Sequence, residues 1–279
     1  MTSPALGINT YAYIWSTPLV DCVRRFRELG YTDFEAVINP PHLAFEDADA
    51  AGRHRLRRAL ETDGIRLRSL NLPSLDVNLA SSMPQTRAYS VGIFHAAIEL
   101  AADLGIPRLI TVPGRVNPLL APAMAAREAW MRESLEALLP HAESRGVGLA
   151  LENVPFASFP DAGSLGAFAR SMHCAALSVC YDVANAHFIG ESPAQGLVQL
   201  RDLLSIVHFS DTGRARWRHD EIGTGDVPFG DVHAALVQID YRGPCMLEII
   251  HPDPEPAILR SHRVLAGLGF GPCPTGLPA

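Results

Sequence analysis

The sequence lacks the features of several well-known protein classes. Its five cysteines are odd in number and none has CxxC spacing, which favours buried free thiols in a reducing compartment. No lysine- or arginine-rich block is present and the net charge is −7, so tight, non-specific binding to nucleic acid is not expected. The N-terminus has no signal-peptide pattern, and no apolar segment is long enough to cross a bilayer. We therefore expect a cytoplasmic protein without a membrane partner.

The composition is that of a globular protein, with 279 residues of which 48% are hydrophobic and 19% charged. Runs typical of strands alternate with runs typical of helices, and eight such pairs predict a single (β/α)8 TIM barrel, an α/β fold. We expect the barrel to span residues 1–270 and the Pro/Gly-rich residues 271–279 to form a flexible tail. A doubly wound open sheet is the alternative, but IWSTPL after the first strand is not a glycine-rich phosphate turn.

The predicted strands are short apolar runs. We expect the first four at residues 7–13, 33–38, 66–73 and 108–113, and the last four at GLALENV, LSVCYDV, IVHFSD and CMLEII. Long helices are predicted near 85–105 and 122–146. Asp161 and the pair Ser192-Pro193 are typical of helix starts, so we expect shorter helices after each of them.

Each of the last four predicted strands carries one side chain at or near its end that can bind a metal ion. In chain order, these side chains are Glu152, Asp182, His208 and Glu248. The C-terminal ends of barrel strands share one face, which is where active sites are found. Because the four strands are consecutive around the ring, the four side chains can converge on one cation.

Three carboxylates and one imidazole suit a hard or borderline cation better than they suit a closed zinc site built from thiolates. We therefore expect one divalent cation, Mn²⁺ in the first place, with Mg²⁺, Co²⁺ or Zn²⁺ as alternatives. Each residue by itself has a second interpretation, because an acid at a strand end often caps the next helix or pairs with an arginine. That interpretation explains all four residues together less well.

Several stretches of the chain resemble one family of barrels. They are LNLPSLDVNLAS at 70–81, LENV at 151–154, YDVANAHFIG at 181–190, VHFSD at 207–211, RHDEIGTGDVPF at 218–229 and MLEII at 246–250. The sequence resembles the sugar phosphate isomerase/epimerase family of xylose isomerase-like TIM barrels, which is related to ketose 3-epimerases and apurinic-site endonucleases. The resemblance implies that the four strand-end residues bind one divalent metal and that Glu152 and Glu248 form the catalytic acid–base pair. It also implies a homodimer.

The sequence departs from this family at informative positions. The endonuclease branch adds zinc-binding histidines where this chain has Leu72, Val112 and Asn185, and its Asp-Arg-His is here Trp217-Arg218-His219. A three-zinc site cannot be assembled from these side chains, so we do not expect DNA repair. The isomerase branch often has histidine at the position of Asn185 as well, and an amide cannot serve as an acid or base.

Further polar and aromatic residues are candidates for contact with a small carbohydrate-like substrate. The predicted substrate-binding residues are Asn185, His187, His219, Arg214, Tyr11 and Trp15. Each also has a structural interpretation. His187 can be a buried histidine, His219 can brace the long loop by a hydrogen bond, and the charge of Arg214 can simply be solvated. Asn9, Tyr11, Tyr13 and Glu35 are candidates for substrate contact and are equally consistent with a polar barrel mouth. Trp15 and Phe156 are candidates for an apolar wall beside a sugar ring.

The predicted function is that of a divalent-metal-dependent isomerase or epimerase of a small sugar or keto-polyol. In such a reaction one carboxylate removes the proton beside a carbonyl, the metal stabilises the resulting enediolate, and a second group returns the proton. One alternative is a metal-dependent lyase or dehydratase that eliminates a β-leaving group from a keto-glycoside or a dehydroshikimate-like acid. A second alternative is a barrel that binds metal and ligand without catalysis.

Overall fold

Eight parallel strands close into a barrel in the computed structural model, which describes residues 5–73 and 76–271. The strands are β1 Leu6–Asn9, β2 Asp33–Val37, β3 Arg66–Asn71, β4 Arg108–Thr111, β5 Gly148–Glu152, β6 Leu177–Asp182, β7 Leu204–Phe209 and β8 Cys245–Leu247. Each strand pairs with the next, and the pairing of Leu6 with Cys245 joins β1 to β8. The predicted TIM barrel is thus confirmed. Of the predicted tail, residues 272–279 lie outside the described residues.

Helices connect the strands and surround the barrel. They are α1 Leu19–Glu28, α2 Ala50–Thr62, α3 Pro84–Leu104, α4 Met124–Arg145, α5 Ala162–Ser171, α6 Val183–Phe188, α7 Pro193–Gln199, α8 Phe229–Gln238 and α9 Pro254–Gly267. The two predicted helix starts are confirmed, since Asp161 Oδ1 accepts a hydrogen bond from Ser164 N and the Ser192 hydroxyl caps α7. Within the described residues, no helix is both long and apolar enough to span a membrane.

Two local features differ from what was expected. The first strand was expected to reach residue 13, but it ends at Asn9 and a 3₁₀ turn follows at Tyr11–Tyr13. The cause is the Asn9 side chain, whose Oδ1 accepts a hydrogen bond from Tyr11 N at 2.7 Å and turns the backbone. Helix α6 was not predicted, because six residues are too few to show helical periodicity.

The inward faces of the last strands carry an apolar layer beneath a polar one. A small buried cluster fills the barrel, formed by Ile110, Ala150, Cys180, Ile206 and Met246. Since alternate residues of a strand point to the same face, the residues two positions after the last four of these also point inward. Those residues are Glu152, Asp182, His208 and Glu248. The apolar layer therefore supports the polar side chains at the C-terminal mouth of the barrel.

Cysteine side chains take no part in disulfides among the described residues. Cys22, Cys180 and Cys245 are buried free thiols, as expected from the sequence, and Cys174 is partly exposed. Burial raises the pKa of the Cys180 thiol well above its ordinary value, so this cysteine packs in the barrel as a neutral, apolar residue.

Candidate active site

The four predicted metal ligands meet at the C-terminal mouth of the barrel. One ligand atom from each of them lies within 4.8 Å of all the others, and the four residues are buried. We refer to these four residues, Glu152, Asp182, His208 and Glu248, as the carboxylate–histidine cluster. The strand register produces this arrangement, because Asp182 lies opposite His208 across the β6–β7 pair.

Imidazole nitrogens approach the carboxylates closely. His208 Nδ1 lies 3.2 Å from Glu152 Oε1 and 3.3 Å from Glu248 Oε2. A second histidine, His219 of the loop after β7, places its Nδ1 at 3.2 Å from Glu248 Oε2 and at 3.7 Å from Asp182 Oδ2. The two rings therefore lie within reach of the same carboxylate.

Asp182 has both of the roles that its sequence position allows, since one carboxylate oxygen caps a helix and the other faces the proposed metal site. Its Oδ1 accepts a hydrogen bond from Asn185 N at 2.6 Å and caps α6. Its Oδ2 faces the cluster and has no hydrogen-bond partner, and the same holds for Glu248 Oε2. Buried oxygens without a donor are costly, and a protein seldom keeps them unless they bind a ligand.

The cluster fits a divalent cation. Among the described residues, no arginine forms an ion pair with any of its three carboxylates, and histidines are the basic side chains paired with them. Buried charges require partners, and a cation held by carboxylate oxygens and one imidazole nitrogen is a partner of the right chemistry. The two unpartnered oxygens on Asp182 and Glu248 are available for it.

Burial and mutual charge shift the pKa values of the cluster. Burial raises the pKa of Asp182 to about 7 and also raises the pKa of Glu152. Burial has the same effect on Glu248, but His208 and His219 outweigh it and hold the Glu248 pKa below its usual range. Burial would lower the pKa of His219, yet Asp182 and Glu248 raise it to about 9. Glu152 and Glu248 are thus two carboxyl groups set apart in acidity.

The role of Glu35 was missed by sequence reasoning, which gave it only as a possible substrate contact. This β2 carboxylate is 0% exposed and accepts four hydrogen bonds. The donors are Asn9 Nδ2 at 2.6 Å, Ser69 Oγ at 2.6 Å, Asn71 Nδ2 at 3.0 Å and His208 Nε2 at 3.1 Å. Because Glu35 accepts a hydrogen bond from Nε2, the His208 Nδ1 atom faces the cluster, where a bound cation would take the place of its proton. The sequence did contain a signal for this role, because Glu35 is an acid within the otherwise apolar strand residues FEAV.

The long loop after β7 is shaped by one buried aspartate, Asp211. Its carboxylate accepts hydrogen bonds from the backbone N–H groups of Thr212, Gly223 and Val227. The backbone oxygen of His219 in turn accepts a hydrogen bond from Ile250 N at 2.7 Å, which joins this loop to the segment after β8. These contacts fix His219 over the cluster.

A pocket of about 700 Å³ opens above the cluster. Glu152 and Glu248 reach its surface, and so do three of the predicted substrate-binding residues, Tyr11, Asn185 and His219. The other three, Trp15, His187 and Arg214, are not among the residues that line it. Trp15 is 71% exposed elsewhere on the surface. His187 Nε2 lies 2.8 Å from Asp226 Oδ1, which is the structural role that its sequence position also allowed.

Solved structures of the same fold include enzymes of sugar chemistry. The chain is similar to a D-tagatose 3-epimerase-like protein (21% identity, TM-score 0.81, 94% of this chain and 96% of that chain). It is also similar to 3-keto-D-glucoside 4-epimerase from E. coli (18%, 0.77, 94% and 98%). A third similar structure is an IolI protein that binds a zinc atom (18%, 0.79, 94% and 97%). At these identities the similarity shows a common fold.

The sequence itself also matches a family model. No curated protein is significantly similar to it, but the model for the xylose isomerase-like TIM barrel matches residues 23–268. That range includes β2 to β8 and all four residues of the cluster. Because the match covers most of its length, the chain belongs to the xylose isomerase-like TIM barrel family.

Proposed function

We propose that the protein is a divalent-metal-dependent isomerase or epimerase that acts on a small sugar or keto-polyol. The observation that carries this proposal is the carboxylate–histidine cluster. Two of its buried oxygens, Asp182 Oδ2 and Glu248 Oε2, have no hydrogen-bond partner, and two of its carboxylates, Glu152 and Glu248, line the pocket. The sugar epimerases with the same fold support the choice of substrate class. Mn²⁺ is the cation we expect first, and the zinc atom bound by a similar structure supports the choice of a divalent ion.

The composition restricts how the chain can activate a carbonyl group. Its 279 residues include no lysine, because all 23 basic residues other than histidine are arginines. A Schiff base between a lysine amine and the substrate is therefore excluded. A bound divalent cation supplies the missing electrophile, since it polarises the carbonyl and stabilises negative charge on the substrate oxygens.

The chain's own residues would move the protons. Glu152 and Glu248 both face the pocket, and in the proposed reaction Glu152 accepts the proton from the carbon beside the carbonyl. Its raised pKa makes it the stronger base of the two. Glu248 returns a proton to the substrate as a relay: it takes that proton from His219, whose pKa is raised to about 9 and whose Nδ1 lies 3.2 Å from Glu248 Oε2. Asn185 cannot exchange protons and serves only to hold the substrate.

The test has two measurements. First, the protein is loaded with Mn²⁺, dialysed and analysed for metal by mass spectrometry; about one ion per chain is expected, and far less in Asp182→Asn. Second, D-fructose, D-tagatose, L-ribulose and a 3-keto-glucoside are incubated with the loaded protein in D₂O and followed by NMR. Deuterium uptake beside the carbonyl is expected for at least one of them.

Glu255→Gln is the matched control, because Glu255 pairs with Arg25 on the outside of the barrel. It should keep both the metal and the proton exchange. Equal, negligible metal in the wild type and in Asp182→Asn would refute the metal site. Metal binding without any deuterium uptake, accompanied by a new ultraviolet chromophore, would replace the isomerase by the lyase.

A further inference from the structure

Phe156 adopts a backbone conformation that is unusual for its residue type. It follows β5 with φ of 65°, in the left-handed region. This region is unfavourable for a bulky side chain, and such conformations persist mainly where surrounding contacts enforce them and function requires them. The Phe156 ring is also 54% exposed and lines the pocket. Neither the left-handed backbone nor the exposed ring of Phe156 contributes to the stability of the fold, so we looked for a role in ligand binding.

Contacts between two loops enforce this conformation. The backbone oxygen of Phe156 accepts a hydrogen bond from Val116 N at 2.8 Å, and Ala157 N donates to Val154 O at 3.0 Å. Arg115 and Ala157 form an isolated antiparallel bridge. The loops after β4 and β5 are thereby tied together, and the ring of Phe156 is presented to the pocket on a fixed backbone.

The ring belongs to an aromatic series that runs from the cluster to the solvent. The Phe156 and Trp217 rings lie 6.1 Å apart at 69°, and the Trp217 and His219 rings lie 6.0 Å apart at 63°. At the inner end, His219 Nδ1 is 3.2 Å from Glu248 Oε2. The series therefore begins at the proposed reaction centre, and the 42% exposed Trp217 stands between the centre and the mouth.

Trp217 also determines what its neighbour Asn185 can offer. Its Nε1–H donates to Asn185 Oδ1 at 2.6 Å, while the backbone N–H of Asn185 binds Asp182. One of the two lone pairs of the Asn185 amide oxygen is thus occupied, and the Nδ2 hydrogens remain for a ligand. A group that binds these hydrogens presents a hydrogen-bond acceptor, as a glycosidic, carbonyl or hydroxyl oxygen does. The same hydrogen bond holds the indole ring in place.

We propose that Phe156 and Trp217 form an aromatic subsite that binds an aryl group attached through oxygen to the reacting sugar. The substrate class is then an aryl glycoside with a keto group on the sugar ring. This inference rests on the proposed function and specifies its substrate. The pocket of about 700 Å³ has room for a ligand larger than a monosaccharide. Exposed aromatic faces bind flat apolar groups, which a free ketose does not provide.

The test is a binding measurement that needs no turnover. Phenyl β-D-glucoside, methyl β-D-glucoside and glucose 6-phosphate are titrated into the Mn²⁺-loaded protein in a calorimeter. We expect the phenyl compound to bind roughly tenfold more tightly than the methyl compound, in keeping with the strength of aromatic contacts. Equal affinities would overturn the proposal. Tightest binding of the phosphate would also overturn it, since Arg115, Arg216 and Arg218 of the pocket would then select an anion instead.

Two variants make the test specific. Phe156→Gly removes the ring and relieves the left-handed backbone, so its melting temperature should be unchanged or higher while the preference for the phenyl compound is lost. His173→Gly is the matched control, because His173 has φ of 49° and lies outside the pocket lining. It should show the same thermal behaviour and keep the full preference. A preference that persists in Phe156→Gly would refute the subsite.

The two proposals fail in different ways. Absence of metal binding or of deuterium uptake would refute the proposed function, whereas the phenyl preference is measured on ligands that do not react. If metal and exchange are present but the phenyl preference is absent, the aromatic subsite is refuted and the proposed function stands.

Discussion

The two halves of the barrel contribute different chemistry to one site. The second half provides the carboxylate–histidine cluster from β5 to β8, whereas the first half provides hydrogen-bond partners from β1 to β3. These partners are Asn9, Glu35, Ser69 and Asn71. In the first half both oxygens of Glu35 accept hydrogen bonds, whereas in the second half Asp182 Oδ2 and Glu248 Oε2 have none.

This difference separates orientation from binding. A polar group whose hydrogen bonds are all made within the protein is rigid and has nothing left for a ligand. A buried oxygen without a donor is the opposite case, since it gains most when a ligand arrives. Substitutions in the first half, whose polar groups are fully hydrogen-bonded, should therefore change metal binding only indirectly, through the orientation of His208. Substitutions in the second half, whose oxygens lack donors, should change metal binding and catalysis directly. Substitutions in both halves test this contrast, and their expected effects decrease from Glu248→Gln to Asn9→Ala.

Glu248→Gln should have the largest effect, because Glu248 combines an unpartnered oxygen with a place in the pocket. The substitution keeps the shape but removes the charge and the carboxylate that returns the proton to the substrate, so we expect proton exchange to fall by about 10²- to 10⁴-fold. Deuterium uptake measured by NMR at saturating Mn²⁺ checks this. A variant with full exchange activity would show that Glu248 is not one of the acid–base groups.

Glu35→Gln tests the orienting half. Glutamine can present its oxygen either to His208 or to Asn9 and Asn71, and one side is then left facing an NH₂ group. If the NH₂ faces His208, Nε2 becomes an acceptor and the proton moves to Nδ1, which can no longer bind a cation. We expect Mn²⁺ affinity to fall about 10- to 100-fold, as measured by calorimetry.

Two outcomes of Glu35→Gln would contradict the division of the barrel into an orienting half and a binding half. An effect as large as that of Glu248→Gln on exchange at saturating metal would mean that Glu35 touches the substrate and is not only a positioning residue. No effect on metal affinity would mean that the His208 ring is held by its packing alone. Glu255→Gln again serves as the control for removing a carboxylate from the barrel surface.

The sequence predicted the binding half far better than the orienting half. Glu152, Asp182, His208 and Glu248 each follow an apolar run, so strand ends and ring order were enough to bring them together. Asn9 and Glu35 lie in strands too, but what they contact depends on which nitrogen of His208 faces them. The orientation of the His208 ring is set by contacts across the barrel, and the hydrophobic periodicity of the sequence carries no information about it.

The pocket wall was predicted least well. Trp15 and Phe156 were expected to form its apolar wall; Phe156 does line the pocket, but Trp15 does not and the unpredicted Trp217 does. Both belong to loops, where no repeating pattern relates sequence to direction. The Phe156 backbone is set by bonds to the loop after β4, which is about 40 residues away along the chain. The positions of strand residues thus follow from the sequence, whereas the directions of loop side chains are set by tertiary contacts.

Metal affinity should depend on pH in a direction set by Asp182. Burial raises the pKa of this carboxyl from 3.8 to about 7 in the metal-free cluster, so a cation must displace a proton below that pH. We expect Mn²⁺ affinity to fall at least about tenfold per pH unit between pH 7 and pH 5, and to rise more gently towards pH 9 as His219 loses its proton.

The same shift has a consequence for stability. A raised carboxyl pKa stabilises the metal-free fold below the unfolded pKa near 3.8, and this contribution is lost as the pH rises through about 7. Metal binding replaces the lost proton. The difference in melting temperature between Mn²⁺-loaded and metal-free protein should therefore widen from pH 5 to pH 8. Asp182→Asn should abolish most of that widening, and an unchanged slope would assign the pH dependence to another group.

Asn9→Ala should give the smallest change in the site, although the Asn9 side chain bonds to both halves. Its Nδ2 donates to Glu35 Oε1 at 2.6 Å and to Glu248 Oε1 at 3.1 Å. Glu35 Oε1 retains Asn71 as a donor, and Glu248 lies beside two histidines, so neither carboxylate is left without a polar neighbour. We expect about 1–3 kcal/mol lower stability by denaturant unfolding but only a few-fold lower Mn²⁺ affinity. A loss of affinity equal to that of Glu35→Gln would show that Asn9 couples the halves, and that orientation and binding are not separable in this barrel.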